Sequence, residues 1–365
     1  MWYFIVMEGY DLRHYMSRTG KYLLTCFSVL LLQGCSTLSY YHQAISGQSE
    51  LLQKRIPITA ALADKNLDAQ VRQKLLIVQE ARVFAVKELG LPDNKSYHDY
   101  ADLKRPYVMW SVFVTPAFSL KPKRWCYPVV GCITYRNYFS QSDAQAYADK
   151  MQAQGYDVYV TGVPAYSTIG WFDDPVTNTM MHWQDYDLVG TLFHELAHQK
   201  FYIKNDTMFN ESLARTIEHE GLRRWMGSRL RDDVHKKYLL EDQREAEFVR
   251  IVLDARKELE LLYAKKDVAE KTLPAKLDIF RSLRREYIQL RKQWKGYEAY
   301  DNWMFSGVNN AKVQAIATYY DYVPAFKRML AEQGDDLSLF YRHIEKLMNM
   351  NKKERDKFLS GMKKP

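Results

Sequence analysis

Two histidines four residues apart, with a glutamate directly after the first, stand at His194-Glu195-Leu196-Ala197-His198 in a stretch that reads as a helix. Nothing else in the chain constrains its fold as tightly. Residues four apart share one helix face, so two imidazole nitrogens can meet one small cation. Glu195 is turned about 100° from His194 around the helix axis. Its carboxylate can therefore reach a water beside the cation without becoming a ligand itself. The cation draws the pKa of that water toward neutrality, and Glu195 can take its proton as the water attacks a carbonyl. Over 187–199, Leu188, Leu192 and Leu196, with Val189 and Phe193 one step round, make an apolar flank with no proline to break it. That flank argues against the bland alternative, a surface helix with two solvated histidines.

A site of this kind needs a third protein ligand and a fourth position left open. In the metzincin arrangement the third ligand would be a histidine at 204 after a glycine at 201, but the chain has Phe201 and Lys204, which excludes it. The other arrangement takes a glutamate from the next helix. Residues 204–207 form a polar turn, and Asp206 or Thr207 can cap a second helix running to about Glu220, before Gly221. Helices joined by so short a turn pack side by side, which returns Glu211 to His194 and His198 and makes it the expected third ligand. Glu218, seven residues on and on nearly the same face, is either a rival ligand or a hydrogen-bond partner for a ligating histidine. The plainer reading of Glu218, His219 and Glu220 is a solvated helix end.

The pairing of His194–His198 with Asn210-Glu211-Ser212-Leu213-Ala214 resembles the gluzincin type of metallopeptidase, and more closely a bacterial family of predicted zinc aminopeptidases exported as lipoproteins. Further stretches carry the likeness: Tyr40-Tyr41-His42-Gln43-Ala44 with Gly47-Gln48, the run from Tyr127 to Cys132 with Tyr135-Arg136, Gly170 to Pro175, and Asn309-Asn310-Ala311. Together they span most of residues 35–330. The resemblance implies a zincin-like metallopeptidase domain, Zn2+ as cofactor and peptides as substrates.

The amino-terminal region reads independently of this. Arg18 and Lys21 precede an apolar run from Tyr22 to Leu32, and Leu32-Gln33-Gly34-Cys35 forms a lipobox-like end. This predicts a signal peptide over 1–34, cleavage before Cys35 and lipidation of its thiol; a signal of ordinary shape would start at Met16. The run is too short to span a bilayer as a helix, whereas several acyl chains on Cys35 would hold the protein on a membrane surface. Ser36, in place of an aspartate, resembles the default sorting to the periplasmic side of the outer membrane. Cys126 and Cys132 are then the one remaining pair of the four cysteines, and a small disulfide loop suits an oxidising periplasm. A two-cysteine metal site is the alternative, but no histidine lies close enough in sequence to complete it.

The chain carries a net charge of +8, of which residues 1–34, with three basic and two acidic side chains, contribute +1. A basic protein tethered to a membrane sits well near anionic head groups. Nucleic-acid binding is excluded as the reading of this charge, because basic residues are interleaved with acidic ones along helical stretches.

The remaining pattern is α+β and mainly α. Residues 42–90 read as helices, 108–118 and 128–138 as a β-hairpin closed by the cysteine loop, 141–154 as a helix and 156–161 as a strand. Three parts follow within the mature chain: a zincin-like catalytic core over 35–227, a charged helical hairpin insertion over 228–297 with a break near Thr272-Leu273-Pro274, and a helical return to the catalytic domain over 298–365. No chemistry is assigned to the hairpin, whose charges read as a solvated face. Residues 166–181 precede the histidine helix and are expected to run beside it as an exposed edge strand that a peptide can extend. There Asp173 or Asp174 is the candidate to hold a substrate ammonium, the plainer reading being a turn before Pro175. Tyr319, with Tyr320 as the alternative, is the candidate donor to the oxyanion formed when water adds to the carbonyl.

The expected function is zinc-dependent peptide hydrolysis with Glu195 as base, releasing N-terminal residues in the periplasm. An endopeptidase would use the same four residues. A non-catalytic metal-binding lipoprotein is the reading from another class, and it leaves Glu195 without a purpose.

Overall fold

The computed structural model describes residues 38–127, 130–227, 232–266 and 268–363, so the signal segment and Cys35 lie outside the described residues. The chain divides into two units, 1–50 and 51–365. Of the first, residues 38–50 are described and are helical. The second carries the elements that follow.

Among the described residues its strands are short and make three small sheets. β1 (Arg55–Pro57) pairs antiparallel with β2 (Asp99–Ala101), which pairs parallel with β8 (Val176–Thr177). β3 (Met109–Pro116) is the centre of the second sheet, between β6 (Tyr135–Tyr138) and β7 (Tyr156–Val163), both antiparallel to it. β4 (Trp125–Tyr127) and β5 (Gly131–Ile133) form the third, where Cys126 faces Cys132 and the two are joined in a disulfide. Seven of the eight β3 residues are buried, although such a strand alternates when one face meets water. The reason is that helices α3 (Gln141–Ala153) and α9 (Asn310–Tyr320) both pack against it.

The larger part is helical. After α1 (Ile58–Ala63), α2 (Ala69–Lys87) starts at Asp68, whose carboxylate accepts from the Gln70 and Val71 amides. It packs on α4 (Asp185–Lys200), and α4 packs in turn on α5 (Thr207–Gly227). The turn between α4 and α5 brings them side by side, as their sequence implies. The second helix does not stop before Gly221, however, and runs to Gly227, nearly two turns further. Gly221 is interior because a Cβ there would lie 2.6 Å from a Phe193 ring carbon and 2.8 Å from Leu89 Cδ1. Gly190 plays the same part on α4, where a Cβ would lie 2.7 Å from Leu222 Cδ1. Both glycines serve close helix packing, and the cost of their backbone freedom is offset by the core they allow.

α6 (Asp232–Ala264) and α7 (Ala269–Gln293) form the expected hairpin around a core of Phe248, Val252, Leu259, Leu283 and Tyr287. Its break lies earlier than expected. Lys266 takes a left-handed conformation at φ 56° between the two helices, while Pro274 sits inside α7. The proline falls in the second turn, where it forfeits one intrahelical bond without ending the helix. Beyond α8 (Asp301–Phe305) and α9, helices α10 (Val323–Glu332), α11 (Leu337–Met348) and α12 (Lys352–Met362) close the main core through Phe326, Phe340 and Ile344. Among the described residues no helix is long and apolar enough to cross a membrane.

The expected edge strand is reduced to Val176–Thr177. Residues 167–174 curl instead, with Ile169 and Gly170 at φ 57° and 78°. The Thr168 amide and hydroxyl both donate to the Asp174 carboxylate, at 2.8 Å each. That geometry cannot extend a sheet.

Candidate metal centre

Helix α4 presents His194 and His198 one turn apart, and their Nε2 atoms lie 3.1 Å from each other. Glu211, from the first turns of α5, places Oε2 3.3 Å from each of those nitrogens. These three atoms make a nearly equilateral triangle. A tetrahedral ion with bonds of about 2.0–2.1 Å has ligand–ligand edges of about 3.3–3.4 Å, so the donor set fits a metal ion directly. The three side chains are all buried, none more than 11 % exposed.

Two of the three candidate ligands have support behind them. The second oxygen of Glu211 accepts from the Tyr135 hydroxyl at 3.1 Å, which turns the first toward the histidines. His194 Nδ1 lies 3.1 Å from Glu218 Oε2, leaving Nε2 free for the metal. Burial opposes a charge on Glu218, but Arg215 and His194 outweigh it and hold the carboxyl well below the usual range. Arg215 spans two carboxylates, that of Glu218 and that of Glu245 on α6. Tyr320 donates to the other Glu245 oxygen at 2.8 Å. The helical hairpin is therefore not only a solvated face: it delivers Glu245 to the outer side of this centre. His198 Nδ1, by contrast, is buried without a partner among the described residues.

Glu195 stands on the next face of α4, at a small cavity that it shares with Tyr97, Leu188, Thr191 and Leu192. Burial raises its carboxyl above the ordinary value, and the two imidazoles pull it part of the way back. The Tyr319 ring stacks on His194 with centroids 6.3 Å apart and planes inclined by 30°. Burial and the carboxylates of Glu211 and Glu195 push its phenol well up, so it stays a donor.

The two aspartates of the preceding loop are placed differently. Asp174 is 1 % exposed and its carboxylate is engaged by Thr168. Asp173 is half-buried at a surface hollow with Asn94, Lys95, His98 and Asp99, and its carbonyl accepts from Arg55 at 2.8 Å. Burial pushes the Asp174 carboxyl from 3.8 up to about 7, with the Thr168 hydrogen bonds offsetting only part of that. A folded-state value above the unfolded one means stability that is present below about pH 4 and lost as pH rises through about 7. Thermal melting between pH 5 and pH 8 is expected to show this decline, and Asp174→Asn to flatten it. An unchanged slope in the variant would assign the decline elsewhere.

A second group, His219, Asp242 and Glu245, lies further out. Its imidazole offers Nδ1 to Asp242 at 3.6 Å and Nε2 to Glu245 at 3.7 Å. One atom from each lies within 4.8 Å of the others, a looser group than the first triangle, and Glu245 already serves Arg215 and Tyr320.

Four residues of this centre were not assigned a role from sequence: Tyr97, Tyr135, Arg215 and Glu245. Tyr135 stands 76 positions from its partner Glu211, and Glu245 reaches Arg215 from another helix; no local spacing marks either one. Replacing Glu218 with glutamine is expected to weaken metal affinity about 10- to 100-fold, read by competition with a chromogenic chelator. Unchanged affinity would mean that Glu218 does not orient His194.

The helix pair thus defines a centre that can hold a metal ion, with a carboxylate beside it able to move a proton. Residues 39–359 match the family described as Putative aminopeptidase, and the chain belongs to that family. No curated protein and no solved structure matches the chain.

Proposed function

We propose that the protein is a zinc-dependent aminopeptidase of zincin-like, gluzincin type, acting on peptides at the periplasmic face of the outer membrane. The observation that carries this reading is the triangle of His194 Nε2, His198 Nε2 and Glu211 Oε2 with Glu195 on the adjoining helix face. Two nitrogens and one carboxylate oxygen at tetrahedral spacing are the donor set of catalytic zinc. When bound, zinc supplies positive charge that acidifies a water molecule and polarises the substrate carbonyl.

The chain's own residues do the rest. Glu195 accepts the proton of the attacking water and passes it to the leaving amine. Tyr319, stacked on His194, donates its O–H to the oxygen that gains charge as the carbonyl becomes tetrahedral. Tyr135 and Glu218 hold Glu211 and His194 in place through their second polar atoms.

The full chain, purified in detergent, is expected to release the first residue from peptides with a free N-terminus and to leave N-acetylated peptides intact. Cleavage of the acetylated set would make it an endopeptidase. Zinc retained without turnover on any peptide would reduce the centre to a structural or binding role. The membrane assignment rests on the lipobox-like sequence at Cys35: Cys35→Ala is expected to move the protein from the membrane to the soluble fraction, and a variant that stays on the membrane would remove the lipid anchor from the proposal.

A further inference from the structure

We propose that Tyr97 is a positioning residue for Glu195, its hydroxyl reaching one carboxylate oxygen through a single water in the small cavity that both side chains line. The inference rests on the peptidase reading for its purpose but on independent geometry for its place. The cavity has about 10 Å³ of free space, roughly the volume one water needs. Its walls are mostly apolar, with Leu188, Leu192 and Val176 among them, so the few polar groups that reach it have few partners to choose from.

Tyr97 is 3 % exposed, and its hydroxyl is buried with no hydrogen-bond partner among the described residues. Ser167 approaches the phenol oxygen from the donor side, which leaves the Tyr97 O–H itself without an acceptor. A buried donor without a partner costs stability, and the backbone adds a second cost. Tyr97 sits at φ 64°, a left-handed conformation that a bulky side chain rarely adopts. Strain of this kind persists only where the surroundings enforce it.

The surroundings do enforce it. The Tyr97 amide donates to the Asp174 carbonyl at 2.6 Å. Its neighbour Ser96 accepts from the Gln199 side-chain amide at 3.2 Å, and Asn94 donates to Gln199 Oε1 at 2.6 Å. Gln199 is one turn beyond Glu195 on the same helix. The segment that carries Tyr97 is thereby registered against the helix that carries Glu195, and both side chains line the one cavity. Burial and the charges of Glu195 and Asp174 keep the phenol protonated, so it can only donate toward Glu195. A carboxylate with one oxygen fixed through a single water keeps the other turned toward the substrate while it receives and returns a proton.

Tyr97→Phe in the full chain tests this, because phenylalanine keeps the ring and removes only the hydroxyl. The expected result is a kcat lowered about 10- to 100-fold, the usual weight of a hydrogen bond to a charged group. KM and zinc content stay unchanged, and Glu195→Gln combined with Tyr97→Phe is no slower than Glu195→Gln alone. Melting of the zinc-stripped protein is a second readout. A hydroxyl engaged with Glu195 gives no gain in Tm when removed, whereas one that merely packs unpaired gives a rise. Unchanged kcat, or a raised Tm, overturns the proposal. If the unaltered protein hydrolyses no peptide, the peptidase reading fails instead, and the Tm comparison alone decides whether Tyr97 is engaged.

Discussion

Glu195→Gln is expected to lower peptide hydrolysis by about 10²- to 10⁴-fold, the range set by loss of a positioned general base, while zinc binding persists. The amide has the shape of the carboxylate but cannot take the proton of the attacking water or deliver it to the leaving amine. Metal binding survives because Glu195 is outside the triangle of His194, His198 and Glu211, whose donor atoms lie 3.1–3.3 Å apart. The fold survives as well: burial disfavours the charged carboxyl at 195, so a neutral amide leaves less charge to desolvate. Turnover, zinc content and melting temperature measured together decide the matter. A variant that lost zinc along with activity would place Glu195 among the ligands and sink the assignment of base.

Loss of a ligand has the opposite signature. His198→Ala and Glu211→Ala are each expected to abolish stoichiometric zinc binding and, with it, hydrolysis. An ion that binds only the folded state stabilises it by about 4 kcal/mol when present at a thousand times its dissociation constant. A chelator should therefore lower the Tm of the unaltered protein and leave that of both variants unmoved. Zinc binding should also depend on pH in a definite direction. Without metal, burial disfavours a charged His194, but Glu211 and Glu218 outweigh it and raise its pKa to about 10. The imidazole must shed that proton to serve as a ligand, so apparent affinity is expected to rise about tenfold for each unit of pH near neutrality. Chelator-insensitive melting of the unaltered protein, or pH-independent affinity, would show that this triangle does not hold the ion.

The two halves of this centre differ in how they can be seen. His194, Glu195, His198 and Glu211 are legible from spacing because one helix period and one short turn set their geometry; Glu218 is legible only as one of several readings, and its burial against His194 overturns the plainer one, a solvated helix end. Helices α3 and α4 and strand β7 are legible for the same reason, since their caps and periods are local. Gly221 and Pro274 mislead because local preference says stop where packing says continue. Phe193 and Leu89 need the space of a missing Cβ, and a proline near a helix start forfeits little.

What no period could announce is everything that reaches the candidate metal centre from afar. Tyr135 comes from a strand 76 residues before Glu211. Glu245 comes from a hairpin whose composition reads as solvated charge. Tyr97 comes from a loop whose left-handed backbone is enforced by Asp174 and Gln199. The candidate ligands and the candidate base could be read along the chain because the helix places residues four apart on one face whatever surrounds it. The groups that orient them depend on which buried polar atoms find each other when separate elements pack, and that is settled only once the core closes.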